Sequence, residues 1–173
     1  LHDWAMKRAG IAARHIVAPG QGGAAMAASA ARAALDDAQV GPDEIDLLVL
    51  STFTGDYCIP STVSLVQAEL GVTAKCFQLE AACAGFIDAT IVAAALIDTG
   101  KYARALVVHT EVMSSIVDPK RFLEQAVFGD GAAAAVLVSA AWARRHGREG
   151  GVAIRAQALA TDTPATFESR SMM

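Results

Sequence analysis

Apolar and polar residues follow two alternating patterns along this chain, one typical of buried strands and the other of helices. Short runs of branched apolar residues between polar flanks indicate strands that are covered on both faces. Longer segments with small or apolar side chains three and four positions apart indicate helices, and glycines at 41, 71 and 100 mark their ends. We predict helices over 23–40, 61–70 and 85–99, and strands over 46–52, 75–79, 104–110, 132–139 and 152–159.

The predicted order of elements indicates an α/β fold. Strands that alternate with helices along a chain usually form a mainly parallel sheet with helices on both faces. The helix over 85–99 is apolar on every side, so we expect it to be buried. A length of 173 residues is enough for one ordinary domain and too short for two large ones.

Composition and charge narrow the class of protein. Hydrophobic residues make up 54% of the chain and charged residues 18%. This composition provides enough apolar surface for a buried core, so a disordered protein is excluded. The net charge of −4, without a run of lysines or arginines, argues against nucleic acid as a partner. No stretch is long and apolar enough for a membrane span and no signal peptide opens the chain, so we expect no membrane association and a cytoplasmic location.

The cysteines are few, and one of them has an informative position. Cys58, Cys76 and Cys83 lack the CxxC spacing of metal and redox sites, which is typical of a reducing cytosol and predicts neither a disulfide framework nor a metal site. Cys83 falls where a predicted strand ends and a predicted helix begins. Backbone N–H groups at a helix start favour negative charge, so a thiol there ionises more readily. A lone cysteine is nevertheless more often inert than reactive, and position alone leaves both readings open.

Three blocks of residues identify a family. They are Ala81-Ala-Cys-Ala-Gly-Phe86; Trp4 followed by Arg8-Ala-Gly-Ile11 and Arg14-His15; and Asp118-Pro119 followed by Phe128-Gly-Asp-Gly131. In identity and spacing these blocks resemble the β-ketoacyl-acyl-carrier-protein synthase III family of the thiolase superfamily. The resemblance extends to about Ser139 and so covers most of the chain.

The resemblance implies a thiolase-like, layered α-β-α fold. Residues 1–173 correspond to a partial N-terminal domain of that fold, with the C-terminal half absent. In the family, the first half of the fold contains a mixed five-stranded sheet. The first strand of that half lies in the middle of the sheet, and this chain lacks it as well. We therefore expect unpaired inner edges on the strands over 46–52 and 104–110, and a chain that is unstable or aggregates through them.

The resemblance also implies an activity, a condensing enzyme of fatty acid or polyketide biosynthesis. Cys83 accepts an acyl group from a thioester, and malonyl carrier protein then condenses with it by decarboxylation. Trp4 matches the residue that stacks on the adenine of coenzyme A, and Arg8 matches a residue of the tunnel that binds coenzyme A. Phe128 matches an aromatic residue beside the active site and the acyl channel. The implied partners are acyl-CoA, acyl carrier protein and a second copy of the chain, which pairs through the strand over 75–79. No cofactor is implied, since coenzyme A and phosphopantetheine thioesters are the substrates.

Three positions depart from the family pattern. Ala9 replaces a threonine, Phe122 stands where a second adenine-sandwiching residue is an arginine, and Ile59 stands where many members have a phenylalanine that caps the partner's acyl pocket. The change at Phe122 favours a carrier-protein donor over coenzyme A. The change at Ile59 leaves the length of the acyl chain open.

The catalytic histidine and asparagine of the family lie in its second half, and nothing in residues 140–173 resembles their segments. Among the histidines present, only His109, at a strand end, is placed to approach the active site. Glu80 and Glu111, also at strand ends, are candidates to orient loops. Two alternatives remain, an acyltransferase that does not condense and a non-catalytic partner subunit.

Overall fold

The computed structural model of the chain describes residues 2–148, 151–155 and 157. Its helices are α1 (His2–Ala9), α2 (Gly23–Ala38), α3 (Thr62–Leu70), α4 (Gly85–Asp98), α5 (Phe122–Val127) and α6 (Ala140–Arg145). Its strands are β1 (Leu47–Ser51), β2 (Lys75–Leu79), β3 (Arg104–Glu111) and β4 (Gly131–Val138). Three predicted helices and four predicted strands are therefore confirmed to within two residues, whereas α1, α5 and α6 were not predicted.

The strands form one mixed sheet in the order β2-β1-β3-β4. β1 pairs in parallel with both β2 and β3, and β4 pairs antiparallel with β3. α2 and α3 pack on one face against Leu48, Leu50 and the same-facing residues of β3. α4 packs on the other face, where its Ala89 and Ala93 lie against Leu47 and Val49. Small alanines in α2 and α4 let the helices approach the sheet closely, which is the expected packing of an α/β domain.

The predicted unpaired inner edges are wrong. β1 and β3 pair directly with each other, in a register that runs from Leu47 with Ala105 to Ser51 with His109. Both strands are apolar and fully buried at their centres, so joining them satisfies backbone groups that would otherwise lose their hydrogen bonds. The reason that we gave for aggregation through these edges therefore does not hold.

Two further expectations need correction. α4 is buried along only one face, and Ile87 and Val92 are 55% and 37% exposed on its outer side. Its apolar surface exceeds what a single sheet face can cover. The strand predicted over 152–159 is not formed at residues 152–155, where Val152 is fully exposed, and residues 156, 158 and 159 lie outside the described part of the chain.

The conformations at the helix ends explain why glycines marked the ends of α3 and α4 in the sequence. α3 ends at Gly71 and α4 is followed by Gly100, both with a positive φ that glycine adopts without strain. α2 stops two residues earlier than predicted, because Gln39 takes the left-handed conformation and its N–H caps the last turn. No described helix has both the length and the apolar character needed to cross a membrane.

Candidate active site

Cys83 lies on a strained turn between β2 and α4. After β2 ends at Leu79, Ala82 takes a positive φ of 43°, and Cys83 follows in a short 3-10 turn that leads into α4. A non-glycine residue in the left-handed region is energetically unfavourable and is common at turns that display a nucleophile. The Cys83 side chain is exposed. The predicted strand-to-helix position of Cys83 is therefore confirmed, and its thiol is accessible to a substrate.

Gly85 allows this turn to lie directly on the sheet. A Cβ atom at Gly85 would stand 2.0 Å from Ser51 Oγ, 3.1 Å from Ser51 Cβ and 3.1 Å from His109 Nδ1. Contacts this short leave no room for a methyl group. Glycine at this position thus fixes how closely the Cys83 turn approaches the ends of β1 and β3.

Glu111 organises the loop that follows β1. Its carboxylate accepts hydrogen bonds from the backbone N–H of Phe53 and of Thr54, both at 3.1 Å, and from the hydroxyls of Thr52 and Thr54. The Thr54 hydroxyl also accepts from the N–H of Val112. Glu111 thereby ties the ends of β1 and β3 together, as the sequence suggested for a loop-orienting carboxylate. Within the part of the chain that the structure describes, Glu80 makes no comparable contact, and it is exposed.

Asp130 is the centre of a separate hydrogen-bond cluster, and the sequence did not single it out as a functional residue. Its carboxylate accepts from the N–H of Val17 at 2.9 Å, the N–H of Ser114 at 2.7 Å and the Ser114 hydroxyl at 2.6 Å. Its own N–H donates to the carbonyl of His15 at 2.8 Å. Asp130 therefore joins three separate segments of the chain. The Phe128-Gly-Asp-Gly131 block was the available signal, since an aspartate between two glycines suits such a close approach.

These three segments enclose an open groove of about 400 Å³. Its lining residues are Ala13, Arg14, Ile16, Ser114, Val117, Pro119, Gln125 and Phe128. Phe128, predicted as a substrate-binding residue, is thus placed at a cavity. The groove is open to solvent, and its lining mixes apolar side chains with polar ones. Cys83 is not among its lining residues.

The hydrogen bonds to Asp130 predict how stability depends on pH. Burial by itself would raise the pKa of the Asp130 carboxyl, but the hydrogen bonds from Ser114 and Val17 outweigh it and hold that pKa below its usual value of 3.8. A carboxyl with a lowered pKa in the folded state stabilises the fold above its unfolded pKa, and this contribution is lost as the pH falls through the folded value.

We therefore expect Asp130→Asn to lower the free energy of unfolding at pH 7 by about 1–2 kcal/mol, since two of the three bonds are exposed. The deficit relative to the parent protein should be full above about pH 5 and shrink below it. Urea unfolding at several pH values measures this difference. Asp118→Asn is a matched control on an exposed aspartate, and a deficit that stays constant down to pH 3 would contradict the assignment.

Trp4 and Phe122 are in contact. Their rings meet edge to face with centroids 5.5 Å apart, and this contact joins α1 to α5. The structure therefore brings together the two positions that the resemblance assigned to adenine binding. Arg8, in the last turn of α1, is exposed, and Ile59 is 90% exposed at the end of the loop that follows β1.

The remaining predicted candidates occupy different surroundings. His109 lies at the end of β3, with Nε2 3.8 Å from Glu111 Oε1. His146 is far from this end of the sheet, because it caps α6 and stacks on Trp142 at a centroid distance of 4.2 Å. Across residues 2–148, 151–155 and 157, no three histidine, cysteine, aspartate or glutamate side chains gather as metal ligands would.

Comparison with known proteins gives one consistent result. Residues 77–158 match the family of 3-oxoacyl-[acyl-carrier-protein] synthase III. The β-ketoacyl-[acyl-carrier-protein] synthase III of Cereibacter sphaeroides is 46% identical over 136 residues, which are 78% of this chain and 42% of that protein.

Solved structures agree with the sequence comparison. The 3-oxoacyl-[acyl-carrier-protein] synthase III of Aquifex aeolicus VF5 has a TM-score of 0.77 at 38% identity, over 80% of this chain and 45% of that one. The priming β-ketosynthase of a polyketide biosynthetic pathway has a TM-score of 0.75 at 40% identity, over 79% and 41% of the two chains. These superpositions confirm the predicted thiolase-like α/β fold. The chain spans less than half the length of the relatives that it matches.

Proposed function

Over the residues that these comparisons match, the chain belongs to the 3-oxoacyl-[acyl-carrier-protein] synthase III family, and we propose that the protein is a condensing enzyme of fatty acid or polyketide biosynthesis. The observation that carries the proposal is the exposed thiol of Cys83 on the strained turn between β2 and α4. A thiolate is both a good nucleophile and a good leaving group, which a carrier of acyl groups requires.

In the first step Cys83 becomes acylated. The thiolate of Cys83 attacks the carbonyl carbon of an acyl thioester, the bond from that carbon to the donor's sulfur breaks, and the donor leaves as a thiolate that takes up a proton. A new thioester joins the acyl group to Cys83. The negative charge that develops on the carbonyl oxygen during the attack requires hydrogen-bond donors. No bound cofactor or metal is needed for this transfer.

In the second step the acyl group is extended. Malonyl carrier protein loses carbon dioxide, and the resulting carbanion attacks the carbonyl carbon of the acyl-enzyme. The bond from that carbon to the Cys83 sulfur breaks, which regenerates the Cys83 thiolate and leaves the β-ketoacyl product on the carrier protein. The developing enolate requires electrostatic stabilisation. By resemblance, a histidine and an asparagine of the family's second half supply it, so this step is proposed for an enzyme that includes that half.

Trp4, Arg8 and Phe128 are proposed to bind the substrate. Trp4 would stack on an adenine, Arg8 would lie at the same tunnel, and Phe128, which lines the groove, would lie beside the acyl channel. The Phe122 ring lies 5.5 Å from the Trp4 ring at 74° to it, so the two rings do not form a pair of parallel faces between which an adenine could stack. This arrangement supports acyl carrier protein, which has no adenine, as the preferred donor over acyl-CoA.

Assembly and location belong to the same proposal. We expect a homodimer that pairs through β2, which is an edge strand of the described sheet and carries the exposed Lys75. Edge strands present unpaired backbone groups that a second copy can satisfy. A cytoplasmic enzyme without nucleic acid or membrane partners agrees with the composition.

Incubation of the full-length protein with an acyl-CoA or an acylated carrier protein, followed by peptide mass spectrometry, tests the proposal. We expect the acyl mass on the peptide that contains Cys83, and faster labelling from the carrier protein. Cys58, also exposed, is the internal control and should stay unmodified. Acylation without a β-ketoacyl product after malonyl carrier protein is added would indicate an acyltransferase that does not condense. An unmodified Cys83 would indicate a non-catalytic partner.

A further inference from the structure

The start of α2 has no capping side chain of its own. Its N-cap residue is Gly22, and its first turn contains no acidic residue. Gly22 has the extended backbone conformation in which a serine or a threonine usually caps a helix. The first N–H groups of a helix have no partner inside the helix. α2 therefore depends on another part of the chain for these hydrogen bonds.

Asp56, in the loop that follows β1, supplies the missing hydrogen bonds. Its two carboxylate oxygens accept from the N–H of Gly23 and from the N–H of Ala24, each at 2.8 Å. A Cβ atom at Gly22 would stand 1.9 Å from Asp56 Oδ1, so the glycine leaves room for the carboxylate. The negative charge of an aspartate is also favourable at a helix N-terminus. Gly22 and Asp56 thus form one fitted contact between two distant parts of the chain.

A second anchor holds the far end of the same loop. The N–H of Asp56 donates to Thr62 Oγ1 at 3.1 Å, and Thr62, the first residue of α3, is fully buried. Between Asp56 and the start of α3 the chain has only a few residues, and a connection that is short cannot move far while both of its ends are held. Loss of the bonds from Asp56 to α2 would release it at one end.

The segment between these anchors faces solvent. It consists of Tyr57, Cys58, Ile59 and Pro60, and we call it the 57–60 segment. The Tyr57 side chain is 64% exposed and the Ile59 side chain 90%. The N–H of Val63 donates to Gln78 Oε1 at 3.2 Å and so joins the start of α3 to β2, the edge strand of the proposed homodimer. The 57–60 segment therefore leads into the helix that is bonded to the proposed pairing strand.

The anchoring bonds lie in the helical layer. α2 and α3 are joined again further along, where the Arg32 guanidinium lies 3.1 Å from Glu69 Oε1 and donates to the Glu69 carbonyl at 3.0 Å. Both connections hold α2 against the α3 side of the sheet, and neither is a contact between strands. The anchor at Asp56 is thus formed without any bond to the strand that pairs with the inner edge of β1.

We propose that Asp56 is a positioning residue, which fixes the direction of the 57–60 segment by binding the start of α2 and thereby sets which acyl groups the enzyme accepts. The inference rests on the proposed function, because by resemblance Ile59 stands where many family members have the residue that caps the partner's acyl pocket. A side chain that limits the depth of a pocket discriminates between acyl chains by packing, and a shift of its backbone changes that discrimination. Asp56 acts through Ile59 and not on the reacting atoms.

The acyl-chain preference of the full-length protein tests the inference. The measured quantity is the ratio of the rates at which acetyl carrier protein and octanoyl carrier protein label Cys83. Asp56→Ala should change this ratio about three- to tenfold. It should also speed hydrogen exchange in the peptide that contains the 57–60 segment and lower the melting temperature by about 2–4 °C, because α2 loses its cap. Asp37→Ala is the matched control, since it removes the same charge from an exposed position in the last turn of α2 and should leave the ratio and the exchange unchanged.

Gly22→Ser separates positioning from helix capping. The added side chain would overlap Asp56 Oδ1 and displace the carboxylate, while the serine hydroxyl caps α2 in its place. Gly22→Ser, alone or combined with Asp56→Ala, should therefore melt near the temperature of the parent and still show the changed ratio and the faster exchange. These two variants also provide the measurement if Asp56→Ala alone does not fold.

A ratio in Asp56→Ala that equals that of the parent would overturn the inference. A changed ratio that Gly22→Ser restores in the combined variant would overturn it as well, because Asp56 would then only cap the helix. Hydrogen exchange requires no acyl donor. If no protein acquires an acyl group at Cys83, the proposed function fails and the acyl preference fails with it, whereas the exchange rates still decide whether Asp56 fixes the 57–60 segment.

Discussion

Cys83→Ser is expected to lower the rate of acyl transfer to the protein by about 10³-fold or more and to leave the melting temperature unchanged. Serine keeps the size of the side chain but replaces the nucleophilic sulfur by a hydroxyl that needs a general base. The Cys83 side chain is exposed, so the fold loses little with the sulfur. Single-turnover labelling with an acylated carrier protein, read by intact mass, measures the rate.

Cys58→Ser is the matched control for this substitution, because Cys58 is an exposed cysteine on the loop that follows β1. Its rate of acyl transfer should equal that of the parent. A Cys83→Ser protein that still acquires the acyl group at the parent rate would show that the covalent step occurs elsewhere. It would then remove the observation on which the proposed function depends.

Gly85→Ala is expected to lower acyl transfer about 100-fold and the free energy of unfolding by about 1–3 kcal/mol. The added methyl group would overlap Ser51 Oγ at 2.0 Å and press on His109 Nδ1 at 3.1 Å, so the start of α4 must move away from the sheet. A displacement of about 1 Å at a reacting group is enough for a loss of this size. Labelling rates and urea unfolding of the same preparation give the two quantities.

Gly131→Ala is the matched control, since a Cβ at Gly131 would meet no atom within 4 Å. Combining Gly85→Ala with Ser51→Gly removes two of the three close contacts and should recover part of both losses, which a double-mutant cycle expresses as a coupling energy. Independent effects of the two substitutions would contradict the steric explanation.

β1 and β3 show which part of strand formation is encoded locally in the sequence. The apolar runs over 46–52 and 104–110 identified β1 and β3 correctly, because burial on both faces leaves a continuous hydrophobic pattern. The prediction that their inner edges stay unpaired was wrong, because the sequence of a strand specifies which faces are buried and carries little information about which strand it pairs with. β1 and β3 pair with each other because each offers a buried row of N–H and C=O groups that the other satisfies.

The burial of α4 shows a similar limit. Its apolar sequence predicted a helix correctly, with its start at Gly85 and its end before Gly100. How much of its surface is covered depends on how many elements pack around it, and the sheet covers one face only. The prediction of a strand over 152–159 was wrong at residues 152–155 for a related reason. A short apolar run forms a strand only where the edge of another strand is available for pairing.

The sequence by itself determined the α/β class, most element boundaries, the family resemblance and the position of Cys83 between a strand and a helix. These features depend on local periodicity, on glycine and on short blocks of residues, all of which are written in order along the chain. Only the tertiary structure decided that Asp130 joins three segments, that Glu111 anchors the Phe53–Thr54 loop and that Ser51 and His109 meet beneath Gly85. Each of these contacts joins residues far apart in the chain through strand register and close packing, which no local pattern encodes.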